Sequence, residues 1–188
     1  MSQYIKAAFL TGHELLAGFV ANQANLDRID TVAQAMVTCF ESGHKVIICG
    51  NGGSSCDAMH FAEEFTGRFR KNRKPLPVIA LSDSSHITCV GNDYGFEAIF
   101  SRGVEAYGKA GDMFIGLSTS GQSQNIINAL EQAQLQGLTT CLLLGKDGGK
   151  CVGKADYEWV IPADTADRIQ ELHMMILHII IETVERYL

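Results

Sequence analysis

Apolar positions recur at helical spacing through the first forty residues. They are Ile5, Phe9, Leu15, Leu16 and Phe19, then Leu26, Ile29, Val32, Ala35, Met36 and Phe40. This pattern predicts two helices, over 3–24 and 25–42, with Asn25 and Asp27 offering the break and Gly43 the stop. From Lys45 the period changes. Short, largely β-branched runs at 45–49, 77–81, 112–117, 139–144 and 157–161 predict strands. Helical patterns near 54–69, 96–107, 122–136 and 166–187 separate or follow them. Such alternation predicts a parallel sheet of about five strands covered by helices on both faces, a three-layer α/β sandwich. No linker, low-complexity tract or internal repeat interrupts it, and the three prolines (75, 77 and 162) fall near strand edges. One domain over 1–188 is expected, with 1–43 packed on it as a helical extension. The long last helix is apolar nearly all round. Ile169, Leu172, Ile176, Ile179 and Ile180 make one stripe, and Met174, Met175, Leu177, Ile181 and Val184 cover much of the rest. One stripe suffices against a sheet, so the surplus predicts burial against another subunit.

Two strand-to-helix junctions carry the candidate chemistry. Gly50-Asn51-Gly52-Gly53-Ser54-Ser55 follows the first strand. Its glycines permit torsions closed to other residues and a close approach by a ligand. Ser54 or Ser55 is expected to cap the next helix, whose free first-turn amides favour an anion. The loop is neither Gly-x-Gly-x-x-Gly nor a P-loop. His60 and Glu64 follow at i and i+4, which places them on one helical face where they can share a metal or a proton. A plain surface pair has the same spacing, and both readings stand at this point. The second junction, Gly-Leu-Ser-Thr-Ser-Gly-Gln-Ser at 116–123, sets Ser118, Thr119, Ser120 and Ser123 beside another helix start. Neutral donors at a helix N-terminus suit a phosphate. Asn92 and Asp93 lie in a glycine-flanked polar turn and offer partners for sugar hydroxyls. Arg68 and Arg70 suit the end of the preceding helix. In the last helix His178 lies between Leu177 and Ile179, which predicts burial; helical geometry puts it about 80° from Gln170 and about 20° from Glu171.

Composition narrows the class. Hydrophobic residues make up 46% and charged ones 19%, as in a soluble globular chain. The net charge of −6, without a basic stripe, argues against a nucleic-acid surface. The six cysteines (39, 49, 56, 89, 141 and 151) show no Cys-x-x-Cys spacing and read as buried thiols in a reducing compartment. No secretory leader is visible in 1–24. The most apolar run, Met174 to Ile181, is far short of the roughly 20 residues a membrane span needs. A cytoplasmic location with no membrane partner is expected.

Several motifs in order resemble the sugar isomerase (SIS) domain family. They are Cys-Gly-Asn-Gly-Gly-Ser at 49–54, Cys-Asp-Ala-Met-His-Phe-Ala-Glu-Glu at 56–64, Gly-Asn-Asp at 91–93, Ser-Thr-Ser-Gly at 118–121, Gly-Lys-Asp-Gly-Gly at 145–149 and Ala-Asp-Arg-Ile-Gln-Glu at 166–171. The resemblance covers nearly the whole chain and is strongest to members acting on heptose phosphates. It implies an aldose–ketose isomerase interconverting sedoheptulose 7-phosphate and D-glycero-D-manno-heptose 7-phosphate through a cis-enediol, at the entry to lipopolysaccharide heptose. It also implies a homotetramer with sites between subunits. By position, Asn51, Gly52, Gly53, Asn92 and Asp93 would hold the sugar, and Ser118, Thr119, Ser120 and Ser123 the phosphate. His60, Glu64, Gln170 and His178 would bind one zinc ion, with Glu64 and Gln170 also meeting substrate; this overrides the geometric preference for Glu171. Glu64 would act as carbon base and His178 as its acid/base partner. The same fold also serves a non-catalytic partner of a replication initiator, and isomerases or regulators of other sugar phosphates. A binding-only relative has no need of Glu64 and His178.

Overall fold

A computed structural model describes residues 1–188. Two helices, α1 (Ser2–Ala21) and α2 (Gln23–Glu41), precede the sheet region. There follow β1 (Val46–Gly50), α3 (Gly53–Thr66), β2 (Val78–Ala80), α4 (Ser84–Asp93) and, after a 3-10 turn at Phe96–Ala98, α5 (Ile99–Tyr107). The chain continues through β3 (Met113–Ser118), α6 (Gln124–Leu135), β4 (Thr139–Gly145), β5 (Tyr157–Ile161) and α7 (Ala166–Tyr187). The five strands are all parallel in the order β2-β1-β3-β4-β5, the expected three-layer sandwich.

The central strands are largely apolar because both faces are covered. Val46 and Ile48 of β1, Ile115 and Leu117 of β3 and Leu143 of β4 face one core, shared with α2, α3 and α7. Ile47, Cys49, Phe114, Leu142 and Leu144 face the other, shared with α5 and α6. Period-two alternation is therefore present in space but invisible as a polar–apolar pattern.

Four expectations need correction. Residues 84–93, expected to form no element and to end in a polar turn, fold as α4, with the Asp83 side chain accepting the His86 amide at 2.7 Å. Neither Ser54 nor Ser55 caps α3: the helix already includes Gly53, its N-cap is Gly52, and Ser54 is buried inside its first turn. The surplus assigned to α7 is largely used within the chain. Leu177, Ile181 and Val184 are fully buried because α7 packs on α2, α3 and the sheet, which leaves Met175 and Ile179 exposed. Cys56 and Cys89 are likewise exposed, against the expectation that the thiols are buried; all six are unpaired.

Buried imidazole is found at His173, not His178. His173 is fully enclosed, with Nε2 2.9 Å from the Leu144 carbonyl, so this nitrogen donates, and Nδ1 has no partner. Burial pushes its pKa from 6.5 down to about 4. The unfolded chain therefore binds a proton that the native chain refuses between those values. Stability from this group is complete above about pH 6.5 and falls as pH drops toward 4, by about 3 kcal/mol in all. Urea unfolding at pH 7.5 and pH 5 is expected to show a loss of about 2 kcal/mol that largely disappears in His173→Gln. An unchanged pH slope in that variant would remove His173 as the source.

Candidate functional site

In a sheet of order β2-β1-β3-β4-β5 the strand order reverses between β1 and β3. Crevices at the carboxyl ends of such strands are where open α/β sheets take ligands. The loop after β1 is the glycine loop and the loop after β3 is the serine loop, so both flank this point. They are tied together. The Asn51 and Asn125 carboxamides exchange two hydrogen bonds of 2.9 Å, each donating through Nδ2 to the other's Oδ1. Asn125 is buried in the first turn of α6. Sequence reasoning reserved Asn51 for the sugar and missed Asn125. A side-chain amide in the first turn of the helix after a serine loop was the available signal.

The serine loop presents free donors of the kind that suit an anion. Gly121 adopts φ +61° and turns the chain back toward α6. Ser118 Oγ lies 3.2 Å from Ser123 Oγ, and Ser120 Oγ accepts the Gln122 amide at 3.1 Å. The Thr119, Ser120 and Ser123 amides have no hydrogen-bond partner in the chain, as at an uncapped helix start.

α3 leaves the glycine loop and carries His60 and Glu64; α7 packs against α3 and carries His178. One ligand atom each from His60, Glu64 and His178 lies within 4.8 Å of the others. His60 Nε2 is 3.3 Å from Glu64 Oε1, and the His60 and His178 rings meet edge-on at 5.0 Å. Phe69 also stacks on the His178 ring, with centroids 5.8 Å apart. His178 is half-buried, not enclosed, because this face of α7 looks along α3 toward solvent. Burial, then the neighbouring His60, lowers its pKa, which keeps the ring neutral and able to accept a proton or a metal near pH 7. Asp57, one turn before His60, has a buried Oδ2 without a partner, and burial raises its pKa.

The three donors, His60, Glu64 and His178, form a group that could hold a metal ion. Bonds of about 2.0–2.1 Å in a tetrahedron imply ligand atoms about 3.3 Å apart, the separation already present between His60 and Glu64. Gln170 lies elsewhere within the chain. Its carboxamide rests on Gly53, where a Cβ would come within 2.7 Å of it, and its Nε2 is 3.4 Å from Ser54 Oγ. The eight residues from Gln170 to His178 correspond to about 12 Å along the helix. Glu171, the geometric alternative, pairs with Arg168 at 2.5 Å. Asn92 and Asp93 end α4, hydrogen-bond each other at 2.8 Å and are exposed, with no hydrogen bond to either loop. A cavity of about 580 Å³ lies apart, between α1 and the turn from β5 to α7. It holds none of these residues, and chemistry rather than volume locates the site.

Comparison with known proteins identifies the family. A SIS domain family model matches residues 11–145. The phosphoheptose isomerase of Fusobacterium nucleatum is 63% identical over 180 residues, covering 96% of this chain and 93% of that protein. The phosphoheptose isomerase of Klebsiella pneumoniae is 52% identical over 174 residues, covering 92% and 90%. The solved structure of phosphoheptose isomerase from Neisseria gonorrhoeae superposes with a TM-score of 0.91 at 34% identity, over 98% of both chains. That from Francisella tularensis gives 0.92 at 37% identity, over 98% of this chain and 97% of its own. With motifs, fold and relatives in agreement, this chain belongs to the SIS domain family, among its phosphoheptose isomerases.

Proposed function

We propose that the protein interconverts sedoheptulose 7-phosphate and D-glycero-D-manno-heptose 7-phosphate. The observation that carries the chemistry is the convergence of Glu64 and His178 from two helices, in a chain that also presents a serine loop with free donors suited to an anion. Ser118, Thr119, Ser120 and Ser123 hold the phosphate through hydroxyls and free amides. Asn51, Gly52 and Gly53 approach the sugar through backbone, and Gln170 meets it from α7. Asn92 and Asp93, exposed in one chain, serve the sugar of a site completed by a neighbouring copy. Glu64 takes the proton from C1 of the ketose and returns it to C2. His178 moves the oxygen protons, delivering one to O2 and accepting one from O1, so that a cis-enediol links the two sugars without net gain or loss of atoms. Positioned proton transfer of this kind contributes about 10²–10⁴ in rate. A zinc ion held by His60, Glu64 and His178, with Gln170 of a neighbouring copy as fourth ligand, would supply a Lewis acid for the carbonyl oxygen. Incubation with sedoheptulose 7-phosphate in deuterated water is expected to yield the aldose with deuterium at C2. A protein that binds the ketose and never exchanges the proton would overturn the reading.

The assembly proposed is a homotetramer with sites at subunit contacts. Tyr4, Ile5, Phe9 and Leu10 of α1 and Met175 and Ile179 of α7 are exposed large apolar groups, and Ile179 adjoins His178. Burying each is worth about 1.5–3 kcal/mol. Light scattering after gel filtration checks it, and a fully active species of 20.5 kDa would refute it. No helix is long and apolar enough to cross a membrane. A cytoplasmic enzyme supplying heptose for lipopolysaccharide accords with six unpaired thiols, and cell fractionation tests the location.

A further inference from the structure

The three side chains of the reaction centre come from two helices, so their spacing depends on what fixes α3 against α7. Most of that contact is apolar and non-directional. Apart from the Gln170–Ser54 hydrogen bond at the start of α3, one polar group ties the two helices with defined geometry near the reacting side chains. Arg73 lies in the segment between α3 and β2, and its side chain is nearly enclosed, 11% exposed. Nη2 donates to the Glu64 carbonyl at 2.7 Å and Nη1 to the Phe65 carbonyl at 2.8 Å. Nε donates to Glu185 Oε1 on α7 at 2.9 Å. The second oxygen of Glu185 accepts the Arg70 amide at 3.3 Å, and Arg70 pairs with Glu182 at 2.7 Å. Phe69, in the same segment, lies against the His178 ring.

We propose that Arg73 is a positioning residue of the isomerase: by gripping the last turn of α3 and the buried Glu185 of α7 together, it sets the separation of the Glu64 carboxylate from the His178 imidazole. The chemistry of each partner supports this. The last carbonyls of a helix have no intrahelical donor and carry the negative end of its dipole, so a cation with several donors suits them. One of the carbonyls held is that of Glu64 itself. Glu185 follows His178 by seven residues, which returns to the same face of α7 two turns on. The clamp therefore holds the backbone of Glu64 itself and the face of α7 that bears His178. Arginine is required in place of lysine because three acceptors lie in different directions around one planar fork, and an ammonium cannot reach them together. Arg73 itself touches neither substrate nor metal.

The inference rests on the proposed reading of Glu64 and His178 as the reacting pair, and the experiment separates the two. Arg73→Lys keeps the charge and loses the fork. Arg73→Met combined with Glu185→Met removes the buried pair together, so no uncompensated charge remains and folding is retained. Both are to be measured at a temperature where circular dichroism shows the native state. An ångström-scale shift in a reacting group costs up to about 10²-fold, so kcat is expected to fall at least about tenfold in each variant. KM should stay within about twofold, since the serine loop is untouched. Affinity for zinc titrated into metal-free protein should also fall about tenfold, because two ligands stand on α3 and one on α7. A natively folded double variant with the parent's kcat and zinc affinity would reduce Arg73 to a purely structural role. Glu64→Gln is run alongside. If it retains turnover, the reading of the centre fails; if it is inactive while both Arg73 variants turn over normally, only the positioning role fails.

Discussion

Glu64→Gln is expected to fold like the parent and to lose about 10²–10⁴ in turnover. The substitution keeps the volume of a side chain that is 16% exposed, and it keeps an oxygen able to accept from His60, 3.3 Å away. What it removes is basicity. A neutral amide cannot take a proton from carbon at a useful rate, whatever else the site retains. His178→Gln should act similarly, since an amide cannot shuttle protons between the two oxygens. Saturating rates with sedoheptulose 7-phosphate, beside circular dichroism, make the measurement. Recovery of the lost rate on adding zinc would mean that the variant had weakened metal binding instead. Retention of activity within a few-fold, without added zinc, would show that another group is the base.

The largest structural effect is expected at Gly121. Its φ of +61° is a left-handed conformation that costs an alanine about 1 kcal/mol. A Cβ there would also collide with the Gly148 carbonyl and come within 2.9 Å of the Gly149 amide, both backbone. Neither can move freely, because the Gly121 carbonyl accepts the Cys151 amide at 3.2 Å and ties the two turns together. Overpacking of this kind adds about 1–3 kcal/mol. Gly121→Ala should therefore lower the melting temperature by roughly 5–15 °C. Since Gly121 stands between Ser120 and Ser123, KM for the phosphorylated sugar should rise as the loop is displaced. Gly153→Ala is the control: it has φ +75° with open space around its Cβ, so it bears the torsional cost alone. Equal melting of the two variants would show that the contact with Gly148 is not the constraint.

Local pattern was enough for the architecture. Buried parallel strands read as short unbroken apolar runs, and glycine and serine punctuation marks the two junctions where a helix starts beside a strand end. His60 and Glu64 share a helix, so their proximity follows from spacing alone. α4 escaped because its sequence, Ser-Ser-His-Ile-Thr-Cys-Val-Gly-Asn-Asp, has no apolar stripe and buries only Val90; the aspartate before it was its one local sign. Other features depend on partners far along the chain. Asn51 meets Asn125, Arg73 meets Glu185, and Gln170 meets Ser54. No residue period encodes such pairs, since each is fixed by how helices settle on the sheet. The two histidines of α7 show the same division. Both lie among apolar residues, so sequence assigned burial to His178. Packing encloses His173 against β4 and turns His178 toward α3, because the last helix is covered by the sheet on one face and only partly by its neighbours on the other. Sequence determined which residues are available for the chemistry, and the way α7 lies between the sheet and α3 decided which of them meet.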